Sequence, residues 1–336
     1  MFRIGLIGCG AIGRQHAYRL RWETGGVTLV GVADFLPEAA QQTAENLGVR
    51  AFSSGEELIA SPDVDVVFIT VPDAFHAQYV LAAIEAGKYC FCEKPLAPTV
   101  EECLQIMDAE VRYGKRLVQV GYMRRFDKDY MEMKRILDSG SLGRPLILHM
   151  AHRNVSQPDW FRTEMAVSNS AIHEIDICRY LTGEEFVSGQ VLKVRQSTES
   201  ADKPYENPQI MLLETESGAR LDIEYQCGEC YGYEVECRIV CDRGMLELPQ
   251  PASVIQRSKD SHQRSVDIMQ DWSVRFLDSY PVEFAAWVRD LQNDCLTGPS
   301  VWDGYAACQV ADSLNKSRGT GQFMPIHLVE KPDLYR

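Results

Sequence analysis

Residues Arg3 to Ile7 form a short apolar run of strand character that leads into Gly8-Cys9-Gly10-Ala11-Ile12-Gly13 and a helical stretch to Leu20. A Gly-x-Gly-x-x-Gly loop in that setting narrows the possible folds sharply. The first glycine permits a tight turn, the second lets backbone approach a pyrophosphate, and the third lets helix and strand pack closely, with the helix N-terminus facing the anion. Gly8, Gly10, Ala11, Ile12 and Gly13 are therefore candidate cofactor-binding residues. The next apolar run, Val27 to Ala33, ends in Asp34, 21 residues past Gly13, near the spacing of an acidic residue that grips an adenosine ribose. A carboxylate accepts from both ribose hydroxyls and repels a 2′-phosphate, and neighbouring Phe35 and Leu36 offer a phosphate no cation. NAD is the expected cofactor.

The pattern then alternates. Helical stretches at Pro37 to Leu47 and Ser54 to Ala60 separate strands at Val49 to Phe52 and Asp65 to Val71, the last nearly continuous in apolar residues. Apolar strands buried on both faces and separated by helices predict an α/β, doubly wound parallel sheet of Rossmann type. Pro72 and His76 fall in the loop after the fourth strand, where a dinucleotide passes; His76 reads equally as the first residue of a helix with no ligand. After the helix from Gln78 to Ala86, Tyr89-Cys90-Phe91-Cys92 reads as a buried strand ending in Glu93-Lys94-Pro95. Proline cannot donate to a ladder and biases Lys94 towards an extended backbone, so an ammonium is held at the sheet edge where α/β proteins bind ligands. A helix from Thr99 to Gly114 and a strand from Arg116 to Gly121 complete a first domain, residues 1–122.

At 336 residues the chain is long for one core, and two domains are expected. A net charge of −14 argues against a broad nucleic-acid footprint, which needs clustered Lys and Arg, and disfavours an anionic membrane surface. No apolar run reaches the ~20 residues of a membrane-spanning helix. The N-terminal residues read as a strand rather than an export signal, so a cytoplasmic protein with reduced thiols is expected for the eleven cysteines. Cys227, Cys230, Cys237 and Cys241 invite a zinc reading, but the stretch 237–241 alternates like a strand, sending neighbours to opposite faces. Small buried side chains account for these cysteines, and no metal is expected.

The second half, residues 123–336, reads as an α+β domain. A helix from Asp129 to Ser139 precedes a strand from Leu146 to Ala151 that ends in His152-Arg153-Asn154. A helix is expected from Ser168 to Leu181, placing Asn169, His173 and Asp176 on one face, with Ile172, Ile175 and Tyr180 packing down. Strands through Val191 to Tyr233 and Cys237 to Leu248, with turns at Ser217-Gly218 and Arg243-Gly244, imply a large, mostly antiparallel open sheet. Residues 258–270 read as a polar loop, and Phe276 to Cys295 and Val301 to Asn315 as helices near the domain junction.

Gly8-x-Gly10-x-x-Gly13, Asp34, Glu93-Lys94-Pro95 and His173-Glu174-Ile175-Asp176, in that order, resemble the Gfo/Idh/MocA oxidoreductase family. Further motifs carry the likeness along nearly the whole chain: Gly121-Tyr122-Met123-Arg124-Arg125-Phe126-Asp127, Ala151-His152-Arg153-Asn154, Tyr231-Gly232-Tyr233, and Asp271-Trp272 with Trp287. These later motifs are those of inositol-oxidising members. The resemblance implies NAD-dependent oxidation of a ring hydroxyl of myo-inositol or a close isomer, with sugar or glycoside oxidation, or a catalytically weak NAD-binding sensor, as the other readings. It implies that Lys94 polarises the hydroxyl and that His173 takes its proton, a role suited to a group titrating near neutrality. Arg124, His152, Asn154, Asp176, Tyr233 and Tyr231 would contact the polyol, Glu93 would join the cofactor residues, and the C-terminal sheet would build a dimer within a tetramer. Asn169 stands where such enzymes carry an aspartate. An asparagine carbonyl can orient an imidazole but offers it no charge, so a less basic His173 is expected.

Overall fold

A computed structural model describes residues 1–227, 231–249, 256–257, 264–265 and 267–336. The chain divides into two compact units: residues 1–123, 280–309 and 328–336 form the first, and residues 124–279 and 310–327 the second.

The first unit is built on six parallel strands in the order β3-β2-β1-β4-β5-β6. They are β1 (Phe2–Ile7), β2 (Val27–Ala33), β3 (Arg50–Ala51), β4 (Val66–Ile69), β5 (Tyr89–Glu93) and β6 (Val118–Gly121), with helices α1 (Ala11–Trp22), α2 (Pro37–Leu47), α3 (Gly55–Ala60), α4 (His76–Glu85) and α5 (Val100–Tyr113) between them. The order reverses between β1 and β4, and that switch point is where the crevice of such a sheet opens. Local chemistry sets the helix ends. Ser54 and Thr99 accept from the amides of Glu57 and Glu102 as N-caps, and left-handed Gly48 and Gly114 close α2 and α5.

The division at the start of the second unit falls beside the expected boundary, but the C-terminal stretch does not follow the expectation. Phe284, Trp287, Val288, Leu291 and Leu296 belong to the same buried cluster as Ile4, Leu29, Phe68 and Phe91. The Trp287 ring meets Phe68 and Phe91 edge-on at 5.7 and 5.3 Å. Burial of those aromatic faces draws residues 280–309 into the nucleotide unit. Tyr335 follows them, donating at 2.7 Å to Glu110, a buried carboxylate that also accepts from the amides of Leu117 and Val118.

The second unit carries seven strands in the order β12-β11-β7-β10-β9-β8-β15: β7 (Pro145–Asn154), β8 (Phe186–Leu192), β9 (Gln209–Thr215), β10 (Arg220–Cys227), β11 (Glu234–Cys241), β12 (Gly244–Glu247) and β15 (Met324–Pro325), with a separate short pair, β13 (Gln256–Arg257) and β14 (Arg264–Ser265). All neighbours in the large sheet are antiparallel except β7 and β10. Alternation buries Leu148, Met150 and His152 of β7 and Val235, Cys237 and Ile239 of β11 on one face. Helices α6 (Lys128–Asp138) and α7 (Ile172–Thr182) belong to this unit. All ten described cysteines are free thiols, nine of them buried. Cys230 lies outside the described residues, as do 258–263 and 266 of the expected polar loop.

Candidate active site

In the first unit the glycine loop connects β1 to α1, and its three glycines meet different surroundings. A Cβ on Gly13 would lie 1.9 Å from the carbonyl oxygen of Gly8. Gly8 has φ +104°, and a Cβ there would come within 2.6 Å of Thr70 backbone. A Cβ on Gly10 would meet nothing within 4 Å. Two glycines thus seal the loop against its own sheet, while the middle one leaves an open cradle beside the exposed Ala11 and the α1 N-terminus. Asp34 stands at the end of β2, where one carboxylate oxygen accepts from the Cys9 amide at 2.6 Å and the other from the Leu36 amide at 2.8 Å. These donors hold the carboxylate at the rim of the glycine loop, and the set fits a dinucleotide: amides and a helix end for the diphosphate, a fixed anion for the ribose.

Pro72 is exposed after β4. His76 is the first residue of α4 and 1% exposed, with Nδ1 2.6 Å from the Pro95 carbonyl and Nε2 2.9 Å from that of Val71. The ring staples the loop after β4 to the loop that carries Lys94. Glu93 is likewise committed, with Oε1 2.8 Å from His16 Nε2 and Oε2 accepting from the Lys94 amide at 3.2 Å. The Arg19 guanidinium lies 3.1 Å from His16 Nδ1. Burial lowers the affinity of His16 for a proton, and a neutral ring that accepts from Arg19 has its one N–H left for Glu93. Lys94 is half-buried at the end of β5.

In the second unit α7 departs from the amphipathic helix expected. Every residue from Ile172 to Arg179 is buried, so its charged side chains need partners within the protein. Arg124 donates to Glu174, whose other oxygen lies 2.9 Å from His152 Nδ1. Arg125 forks onto both oxygens of Asp176 at 2.9 and 2.6 Å, and Arg179 onto those of Glu185, both at 2.6 Å. Burial works to raise the Glu174 carboxyl, but the charge of Arg124 and the His152 contact overcome it and hold the group down at about 2. Burial pushes the Tyr233 phenol up to about 12, so it stays a neutral hydroxyl.

The expected helix start also differs. Residues Ala166–Ser170 form a π-helical turn, and α7 begins at Ile172. Asn169 therefore lies on a wider turn than His173 and Asp176, and a uniform α-helical stripe does not relate the three. Of the expected polyol contacts, Arg124, His152 and Tyr233 are brought together: His152 lies 5.9 Å from the Tyr233 ring, and Arg124 Nη2 is 3.5 Å from His152 Nδ1. Asn154 joins them through Nδ2, 3.3 Å from His152 Nε2. Tyr231 goes elsewhere: it is exposed and donates to Glu234, which also pairs with Arg153 on the opposite face of the sheet. Sequence reasoning missed Glu174 and Arg125 as partners; their place beside His173 and Arg124 was the available signal.

A family model described as the oxidoreductase family, NAD-binding Rossmann fold, matches residues 2–122, and the family's C-terminal alpha/beta domain model matches residues 134–328. The chain belongs to the Gfo/Idh/MocA oxidoreductase family, and it is an NAD-dependent dehydrogenase. It is 44% identical over 336 residues to the inositol 2-dehydrogenase of Burkholderia cenocepacia, covering 99% of each chain. It is also 44% identical over 333 residues to inositol 2-dehydrogenase 3 of Saccharopolyspora erythraea, covering 99% of this chain and 98% of the relative. Among solved structures it is similar to myo-inositol dehydrogenase from Lactobacillus casei in complex with NAD(H) and myo-inositol, with TM-score 0.96, 32% identity and full coverage of both chains.

Proposed function

We propose that the chain oxidises a ring secondary hydroxyl of myo-inositol, or of a close isomer, to the corresponding inosose. One observation carries the reading: the full-length likeness to a protein solved with NAD(H) and myo-inositol. When bound, NAD supplies at nicotinamide C4 the acceptor for the hydride that leaves the alcohol carbon. The chain's own residues do the rest. Lys94 orients the reacting hydroxyl and stabilises the negative charge growing on its oxygen, and His173 removes the hydroxyl proton. Asn169 orients the His173 ring without adding a charge. Arg124, His152, Asn154 and Tyr233 supply short polar contacts to the remaining hydroxyls, a need set by a ring bearing many of them. Asp176 contributes through Arg125. Gly8, Gly10, Ala11, Ile12, Gly13 and Asp34 hold the dinucleotide.

Self-association through the outer face of the seven-stranded sheet belongs to the same proposal. Ile147 is 40% exposed on that face, and light scattering checks the mass. The activity test follows NADH absorbance over a panel of inositol isomers, monosaccharides and glycosides. Turnover with an inositol is expected. Turnover confined to monosaccharides or glycosides replaces the substrate, and NAD binding without turnover on any polyol makes the chain a sensor.

A further inference from the structure

Glu174 has no part in the roles assigned above, yet it is fully buried beside two residues that do. Its carboxylate faces a guanidinium that can only donate, Arg124, and one nitrogen of an imidazole, His152 Nδ1 at 2.9 Å. Arg124 holds Glu174 ionised, and an ionised carboxylate can only accept. The proton of the His152 ring therefore sits on Nδ1. Arg124 Nη2 also approaches Nδ1, but at 3.5 Å it is the weaker contact, and it cannot compete with a charge-assisted bond at 2.9 Å. The opposite nitrogen, Nε2, keeps its single lone pair, to which the Asn154 amide nitrogen donates at 3.3 Å, a long contact that a shorter bond from a hydroxyl displaces.

We propose that Glu174 is a positioning residue that fixes His152 as the Nδ1–H tautomer, so that His152 Nε2 accepts a hydrogen bond from a polyol hydroxyl instead of donating one. The proposal rests on the reading that His152 and Asn154 contact the polyol. Its consequence is selectivity for a donor: a free O–H satisfies Nε2, whereas an ether oxygen, in a methylated inositol or a pyranose ring, meets it lone pair to lone pair. A site built to pair with a substrate hydroxyl discriminates strongly against analogues that cannot.

Glu174→Gln tests this because the replacement inverts the logic. Arg124 still only donates, so it claims the new amide oxygen. The amide NH₂ is then turned to His152 Nδ1 and donates to it, which forces the ring proton onto Nε2. Imidazole nitrogen NMR on the full-length protein reads the tautomer directly, with His152→Gln identifying the His152 signals among seven histidines. The expected wild type has Nδ1 protonated and Nε2 bare, the expected Glu174→Gln variant has the reverse, and Glu174→Asp keeps the wild-type pattern. In steady state Glu174→Gln raises KM for myo-inositol about 10-fold or more, the scale of one hydrogen bond in the site, with kcat changed far less. In a His152→Gln background, which has no tautomer to set, adding Glu174→Gln changes KM less than about 2-fold, within the usual additivity error.

A wild-type spectrum with Nε2 protonated overturns the proposal, as does an equal KM penalty for Glu174→Gln in both backgrounds. If Glu174→Gln does not fold, Glu174→Asp decides: an inverted tautomer there overturns the proposal, and a retained one supports it. If His152→Gln alone leaves KM for every inositol unchanged, the polyol contact itself is wrong and the proposal falls with it. That result differs from a failure of Glu174 alone, in which His152→Gln raises KM and Glu174→Gln does not.

Discussion

Alanine at Gly10 and at Gly13 should produce opposite kinds of damage, though the two glycines lie three residues apart in one loop. At Gly13 the added methyl would sit 1.9 Å from the Gly8 carbonyl oxygen, so backbone must move by more than an ångström before ordinary contact is reached. Overpacking of that severity costs about 3 kcal/mol or more, and at roughly 2 °C per kcal/mol for a chain of this size the melting temperature falls by about 6 °C. At Gly10 the backbone has φ −68° and ψ −170°, which alanine adopts freely, and the methyl meets nothing within 4 Å. Gly10→Ala should therefore melt within about 1 °C of the wild type, since substitutions free of such strain stay within ~0.5 kcal/mol. Its methyl instead occupies the space a diphosphate needs. Losing one charge-assisted hydrogen bond of about 1.5–3 kcal/mol raises KM for NAD about 10- to 100-fold. Differential scanning fluorimetry and NAD titration at saturating polyol give both numbers. A Gly10→Ala enzyme with unchanged KM for NAD would refute the assignment of this loop to the diphosphate.

Asp34→Ser should raise KM for NAD and narrow the preference for NAD over NADP, because the fixed anion that repels a 2′-phosphate is gone; initial rates with each dinucleotide check it. His173→Ala should lower kcat by about 10²–10⁴-fold, read under saturating NAD and myo-inositol. Asn169→Asp should place a charge near that imidazole and move the acid limb of the kcat profile to higher pH; turnover unchanged at every pH would sink the orienting role. The Glu174 carboxyl lies below its ordinary 4.5, at about 2, so it stabilises the fold fully above pH 4.5 and loses that contribution as pH falls through 2. The difference corresponds to about 3 kcal/mol. Urea denaturation of wild type and Glu174→Gln should show a stability gap that shrinks below pH 4.5, and a constant gap down to pH 3 contradicts the assignment.

The first unit was readable because each of its signals is local. Strand β2 (Val27–Ala33) and helix α2 (Pro37–Leu47) fall where the pattern placed them, since an apolar run buried on both sides and a proline at a helix start act within a few residues. The return of Trp287 to that core was not readable. An apolar stripe shows that a helix is buried without saying against which sheet. The same limit applied to α7, where a polar stripe along one face suggests a solvated side until the arginines that neutralise its charges are located, 50 residues away for the Arg124–Glu174 pair. The π turn at Asn169 left no trace in the spacing, because one wider turn changes no residue type.

The contribution of residues 280–309 and 328–336 to the first unit bears on how the chain comes off the ribosome. The nucleotide half begins to emerge first, but Trp287 and Tyr335 reach it only after the whole of 124–279 has been made. Until then Phe68 and Phe91 lack their aromatic cover, and Glu110 lacks its phenol partner. A nascent chain halted near residue 125 should therefore engage holdase chaperones, whereas one released beyond Tyr335 can close the first core unaided.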